Sequence, residues 1–124
     1  MRRVLFVEDE DGLRNSYERY FASRYAMAFA TTGAHGIEQL EAFAPDILVL
    51  DMRLPDTDGV EVLRIMRTQR PDLPAIITTA YASMQPLLEV LGLVHSGFLI
   101  KPFELEQLGA MIDAAKIGGR DGHD

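Results

Sequence analysis

The sequence predicts an α/β domain, a parallel sheet wrapped by helices on both faces in a doubly wound three-layer sandwich. Five short apolar runs, residues 4–7, 25–30, 47–50, 75–79 and 98–100, alternate with five stretches whose apolar residues recur at helical spacing. The runs at 4–7 and 47–50 show no alternation of apolar and polar residues, which suits strands buried on both faces. A length of 124 residues, 48% of them apolar, fills one core of ordinary size without staples.

The first run, Val4-Leu5-Phe6-Val7, leads directly into Glu8-Asp9-Glu10-Asp11. Glu10 and Asp11 suit the start of a helix, where the dipole favours acids, and Leu13, Tyr17, Tyr20 and Phe21 are spaced for one face of it. That leaves Glu8 and Asp9 at the carboxyl end of the strand. Residues 25–30 are less apolar and fit an edge strand, after which Thr31 and Thr32 can cap a helix carrying Ile37, Leu40 and Phe43. The third strand, bounded by Pro45 and Pro55, ends in Asp51. Asp56 and Asp58 beside Pro55 and Gly59 are ordinary turn residues, but Asp51 lies too far from the turn for that explanation. Asp58 with Glu61 resembles a capping box for a helix bearing Val62, Leu63 and Met66, which Pro71 ends. Pro74 opens the fourth strand. Ser83 is expected to cap a helix running through about Val94, with Pro86 in its first turn. Its one charge is Glu89, and Met84, Leu87, Leu88, Val90, Leu91, Leu93 and Val94 are too many for one buried stripe, so some must face out. The fifth strand ends at Lys101 and Pro102 breaks it. A last helix from about Glu104 turns Leu105, Leu108, Ile112 and Ala115 inward.

Right-handed crossovers bring the carboxyl ends of all five strands to one edge of the sheet. Glu8, Asp9, Asp51, Thr79 and Lys101 collect there. Alone, Thr79 reads as a β-branched strand residue and Lys101 as a solvated charge; three carboxylates, a hydroxyl and an amine together have no structural purpose. Close carboxylates repel, and their hard oxygens suit Mg²⁺, which takes one or two carboxylates together with phosphate oxygens. Phosphoryl transfer needs mainly positioning and neutralisation of charge, which Mg²⁺, Lys101 and the Thr79 hydroxyl can supply while Asp51 attacks in line. The set points to an aspartyl-phosphate site. A net charge of −7 argues against direct nucleic-acid binding, and the absence of cysteine excludes disulfides, thiolate metal sites and sulfur nucleophiles. The apolar run at 4–7 is too short for a signal peptide or membrane span, so a soluble cytoplasmic protein is expected. His35, His95 and His123 form no ligand pattern.

With Val-Glu-Asp-Glu at 7–10, Asp51 followed by Met-Arg-Leu-Pro-Asp-Thr-Asp-Gly, Thr79-Ala80, and Phe-Leu-Ile-Lys-Pro-Phe at 98–103, the chain resembles a response-regulator receiver domain of two-component signalling. The resemblance runs from Arg3 to about Lys116. It implies a flavodoxin-like sheet ordered 2-1-3-4-5. It further implies that Asp9 and Asp51 share a Mg²⁺, with Glu8 reaching the ion through water and the Arg53 carbonyl as a further ligand. Asp51 would accept phosphate from a sensor histidine kinase or histidine phosphotransfer protein, Lys101 would pair with the phosphoryl group, and Thr79 and Phe98 would form a switch pair. Such a domain is not an enzyme beyond catalysing its own phosphorylation and dephosphorylation. The Lys101–Pro102 bond is expected to be cis. Arg53 and Tyr81, two residues after Asp51 and Thr79, would flank the route of hydrolytic water and prolong the phosphorylated state. The fourth helix, fifth strand and fifth helix would form the output or dimer surface. The receiver would span 1–117, with 118–124 a flexible tail or linker stub.

Three rival readings differ in what they require. A haloacid-dehalogenase-type phosphatase needs a second Asp where Arg53 stands. A flavodoxin-like cofactor binder needs a phosphate-cradling loop where this chain has four acids. A degenerate receiver would act as an interaction module without phosphorylation, and would not need the five site residues present here.

Overall fold

The computed structural model describes residues 1–93 and 95–117. The apolar runs form β1 (Arg2–Val7), β2 (Tyr25–Ala30), β3 (Ile47–Asp51), β4 (Ala75–Thr79) and β5 (Gly97–Ile100). Between and after them lie α1 (Asp11–Tyr20), α2 (Gly33–Ala42), α3 (Gly59–Gln69), α4 (Met84–Val90) and α5 (Leu105–Ala114). All pairings are parallel and the order is β2-β1-β3-β4-β5, as expected, with the less apolar β2 at an edge.

Alternation along the strands divides the interior into two cores. Phe6, Val49, Ile76 and Leu99 pack with Tyr17 of α1, Phe21 just past its end, and Leu108 and Ile112 of α5. Leu5, Val7, Leu48, Leu50 and Ile77 pack on the other face with Leu40 of α2, Val62, Leu63 and Met66 of α3, and Leu88 of α4. Glu8, Asp51 and Lys101 lie two residues beyond Phe6, Val49 and Leu99, so they continue the row that faces α1 and α5. The bonds from Glu8 N–H to Ala30 O and from Lys101 N–H to Thr79 O carry the ladder geometry past the formal strand ends. Among the described residues no helix is long and apolar enough to cross a membrane.

Several local expectations change. Tyr20 is 42% exposed rather than turned inward with Tyr17 and Phe21. Thr32 caps α2 by accepting from His35 N–H at 3.1 Å, and Asp58 caps α3 by accepting from Glu61 N–H at 2.9 Å. Glu61 turns its side chain to Arg64 at 3.5 Å, so only the Asp58 half of the capping box is seen. Ser83 makes no side-chain cap. The largest difference is that α4 ends at Val90 rather than near Val94. Gly92 adopts φ +69°, its N–H bonds Glu89 O at 3.1 Å, and Leu93 N–H bonds Leu88 O at 3.0 Å, a Schellman termination with Gly92 at the left-handed position. Leu88 and Leu93, the residues such an ending brings together, both pack on the core. Val94 and the predicted tail, residues 118–124, lie outside the described residues.

Candidate functional site

The strand edge gathers Glu8, Asp51 and Lys101 in one row, as the alternation requires. Glu8 is 1% exposed and Asp51 4% exposed. Lys101 Nζ stands 3.1 Å from Glu8 Oε1, 3.4 Å from Asp51 Oδ2 and 3.6 Å from Glu10 Oε2, so the repulsion expected within the acid cluster is offset by a lysine inserted into it. Burial and the neighbouring Asp51 carboxylate push Glu8 up to about 7 against the pull of Lys101. Burial raises Asp51 too, while Lys101 and the Arg53 N–H oppose the rise. Burial works against the charge of Lys101, but Asp51 and Glu8 outweigh it and hold the ammonium above its usual value.

Oxygens of Glu8, Asp9 and Asp51 lie within 4.8 Å of one another. Glu8 Oε1 is buried and, although in ion-pair range of Lys101, has no hydrogen-bond partner. Hard oxygens held this close, with one of them unsatisfied, fit a small divalent cation such as Mg²⁺. The cluster opens into a cleft of ≈ 410 Å³ whose walls include Asp9, Asp51, Arg53, Thr79, Tyr81 and Lys101. Thr79 is buried and its Oγ1 accepts from Tyr81 N–H at 3.1 Å. Arg53 and Tyr81, both exposed, meet over the cleft, with Arg53 Nη1 donating to Tyr81 Oη at 3.2 Å. Phe98 is half-buried against the α2/α3 core with its ring 5.9 Å from that of His95. The Lys101–Pro102 bond is cis. Of the predicted site residues, Phe98 alone stands apart from the cleft lining and the acid cluster.

One positioning residue escaped the sequence reading. Asp56, taken for an ordinary turn residue, accepts from Gly33 N–H at 2.8 Å and Ala34 N–H at 3.0 Å, which pins the loop after Asp51 to the start of α2. These two backbone donors hold its carboxyl below the usual range. The signal was faint, since Gly33 follows Thr32 at a helix start but nothing local names a partner 23 residues away.

Residues 4–113 match the family described as "Response regulator receiver domain". The chain is 36% identical over 113 residues to response regulator MprA of Mycobacterium leprae and 31% identical over 116 residues to regulatory protein AtoC of Escherichia coli. These alignments cover 90% and 93% of this chain but only 50% and 25% of the relatives, so the chain spans half or less of their length. Among solved structures, a CheY-like receiver domain protein from Methanospirillum hungatei superposes with TM-score 0.83 at 26% identity, covering 90% of each chain. The non-phosphorylated HemR receiver domain of Leptospira biflexa gives TM-score 0.79 at 32% identity, covering 90% of this chain and 91% of the other. With a match over residues 4–113, the strand order of the fold and an acid cluster at the strand edge, the chain belongs to the response-regulator receiver domain family.

Proposed function

We propose that the domain, residues 1–117, is a phosphorylation-operated switch in which Asp51 is the phosphoacceptor. The observation that carries the reading is Lys101 Nζ held between buried Glu8 and Asp51 at the mouth of an open cleft. A carboxylate at the end of a central strand, with a cation beside it and space in front, is placed to attack phosphorus. An Asp51 oxygen forms a bond to the phosphorus of a phosphohistidine on a sensor kinase or phosphotransfer protein; the P–N bond breaks, and the imidazole nitrogen leaves with the electron pair and takes a proton. Lys101 then has a phosphoryl oxygen to pair with. Asp9 and Asp51, with Glu8 through water and the Arg53 carbonyl, would hold Mg²⁺, which when bound neutralises charge on the phosphoryl oxygens. The Thr79 hydroxyl turns toward the phosphoryl group and Phe98 follows, altering the surface of α4, β5 and α5 for an output partner or a second copy. The chain catalyses only its own phosphorylation and dephosphorylation.

Acetyl phosphate with Mg²⁺ should add one phosphoryl mass to the intact protein, and Asp51→Asn should remove the addition. Equal modification of the variant would show that Asp51 is not the acceptor. No modification of either protein, with histidine phosphodonors failing as well, would favour the degenerate receiver.

A further inference from the structure

Beneath the acid cluster lies a second polar group with no structural task. Tyr17 of α1 is fully buried in the core on the Glu8 side of the sheet, its ring stacked on Phe6 at 4.7 Å between centroids, and its hydroxyl has no hydrogen-bond partner. Phe6 is two residues before Glu8 in the same inward row, so the ring lies directly under the strand end that presents Glu8. A phenol buried without a partner is costly, and a Phe would pack the same space without that cost. Glu8 Oε2 accepts from Glu10 N–H at 3.1 Å and from Lys101 at 3.3 Å, whereas Glu8 Oε1 is buried without a hydrogen bond and has only the Lys101 ammonium at 3.1 Å. Burial, then Glu8, then Asp51 push the Tyr17 phenol up, so it stays protonated and able to donate.

The role of Lys101 makes these two unsatisfied atoms complementary. When Lys101 turns to a phosphoryl group on Asp51, Glu8 Oε1 loses the ammonium it shares and is left buried with no donor. We propose that Tyr17 is a positioning residue whose hydroxyl becomes the hydrogen-bond donor to Glu8 in the loaded site, holding that carboxylate in place while Lys101 is engaged elsewhere. The inference rests on the phosphoacceptor reading above. Before loading the hydroxyl is idle; after loading it can donate to Glu8 Oε1, the oxygen that the Glu10 N–H leaves unserved.

The test is Tyr17→Phe, which keeps the ring and removes only the hydroxyl. Without ligands the variant should melt at or above the wild-type temperature, because an idle buried hydroxyl is lost. With Mg²⁺ and beryllofluoride, a stand-in for the phosphoryl group, it should require about 5-fold more Mg²⁺ to reach half-saturation, close to the net worth of one ordinary hydrogen bond. In a Glu8→Met background, which has no oxygen to accept the bond, the same substitution should leave half-saturation unchanged, since the donor acts through Glu8. Half-saturation within two-fold of wild type, or an equal loss in the Glu8→Met background, would overturn the role of Tyr17 alone. A wild type that does not respond to Mg²⁺ and beryllofluoride, or an Asp51→Asn variant that responds equally, would overturn the phosphoacceptor reading and the proposal with it.

Discussion

Glu8 is the residue whose protonation couples the site to stability. Its carboxyl sits at about 7 in the folded chain against an ordinary 4.5, chiefly through burial, so above 4.5 the folded state keeps a proton that the unfolded chain has lost. Stability must therefore fall as pH rises from about 4.5 to about 7, and the upward shift of Asp51 acts in the same sense. The raised Lys101 matters only above its ordinary 10.5, outside this window. In chelated buffer, urea unfolding should show a decline of about 1–3 kcal/mol across the interval, largely absent in Glu8→Gln. An unchanged decline in the variant would place the proton on another group. Under the proposed function, Arg53 and Tyr81 would instead bear on the lifetime of the phosphoryl group. Their hydrogen bond joins the two walls of the cleft, and neither side chain offers a base to activate water. Replacing Arg53 by Asn and Tyr81 by Glu should speed phosphate release about 10-fold, roughly 1.4 kcal/mol of barrier, in a chase after donor removal. Equal decay rates in wild type and variant would remove both residues from the account.

At the scale of elements, the two helix ends that differ most are α2 and α4. Ala44, just past the end of α2, adopts φ +52°, a left-handed conformation that costs an alanine free energy. Ala44→Gly should raise stability by about 0.5–1 kcal/mol in thermal or urea unfolding; a loss would mean that the conformation is not strained. Gly92 already fills the equivalent position after α4. That ending was hidden because Leu91 and Leu93 continue the apolar run on either side of the glycine, and periodicity alone reads through it. The strands were legible for the opposite reason. Runs such as Ile47 to Leu50 are too short and too uniformly apolar to be surface helices, and each stops at a polar residue that proved to sit at the sheet edge. Local signals also located the Thr32 and Asp58 caps, whereas the Asp56 bridge and the contacts of Lys101 with Glu8 and Asp51 join residues distant in sequence and needed the fold.

Across the whole molecule, the apolar excess expected of the fourth helix divides between core and surface. Leu88 is buried and Leu93 half-buried, while Leu87 and Leu91 are each 43% exposed and Ile100 on the edge strand β5 is 45% exposed. Leu87→Lys and Leu91→Lys should each change stability by no more than about 0.5 kcal/mol while reducing self-association of the beryllofluoride-loaded domain in sedimentation. A wild-type domain that stays monomeric when loaded would remove self-association through this surface from the account. The bond from Tyr81 N–H to Thr79 Oγ1 has a consequence for the fidelity of the switch as a whole. Under the proposed function the hydroxyl must leave that amide before it can turn toward a phosphoryl group, so a spontaneous excursion forfeits a hydrogen bond worth about 1 kcal/mol with nothing gained in return. A handicap of that size lowers the share of unphosphorylated molecules in the signalling shape about five-fold. Under that reading the bond would act as a noise filter, keeping background output low while the kinase is silent.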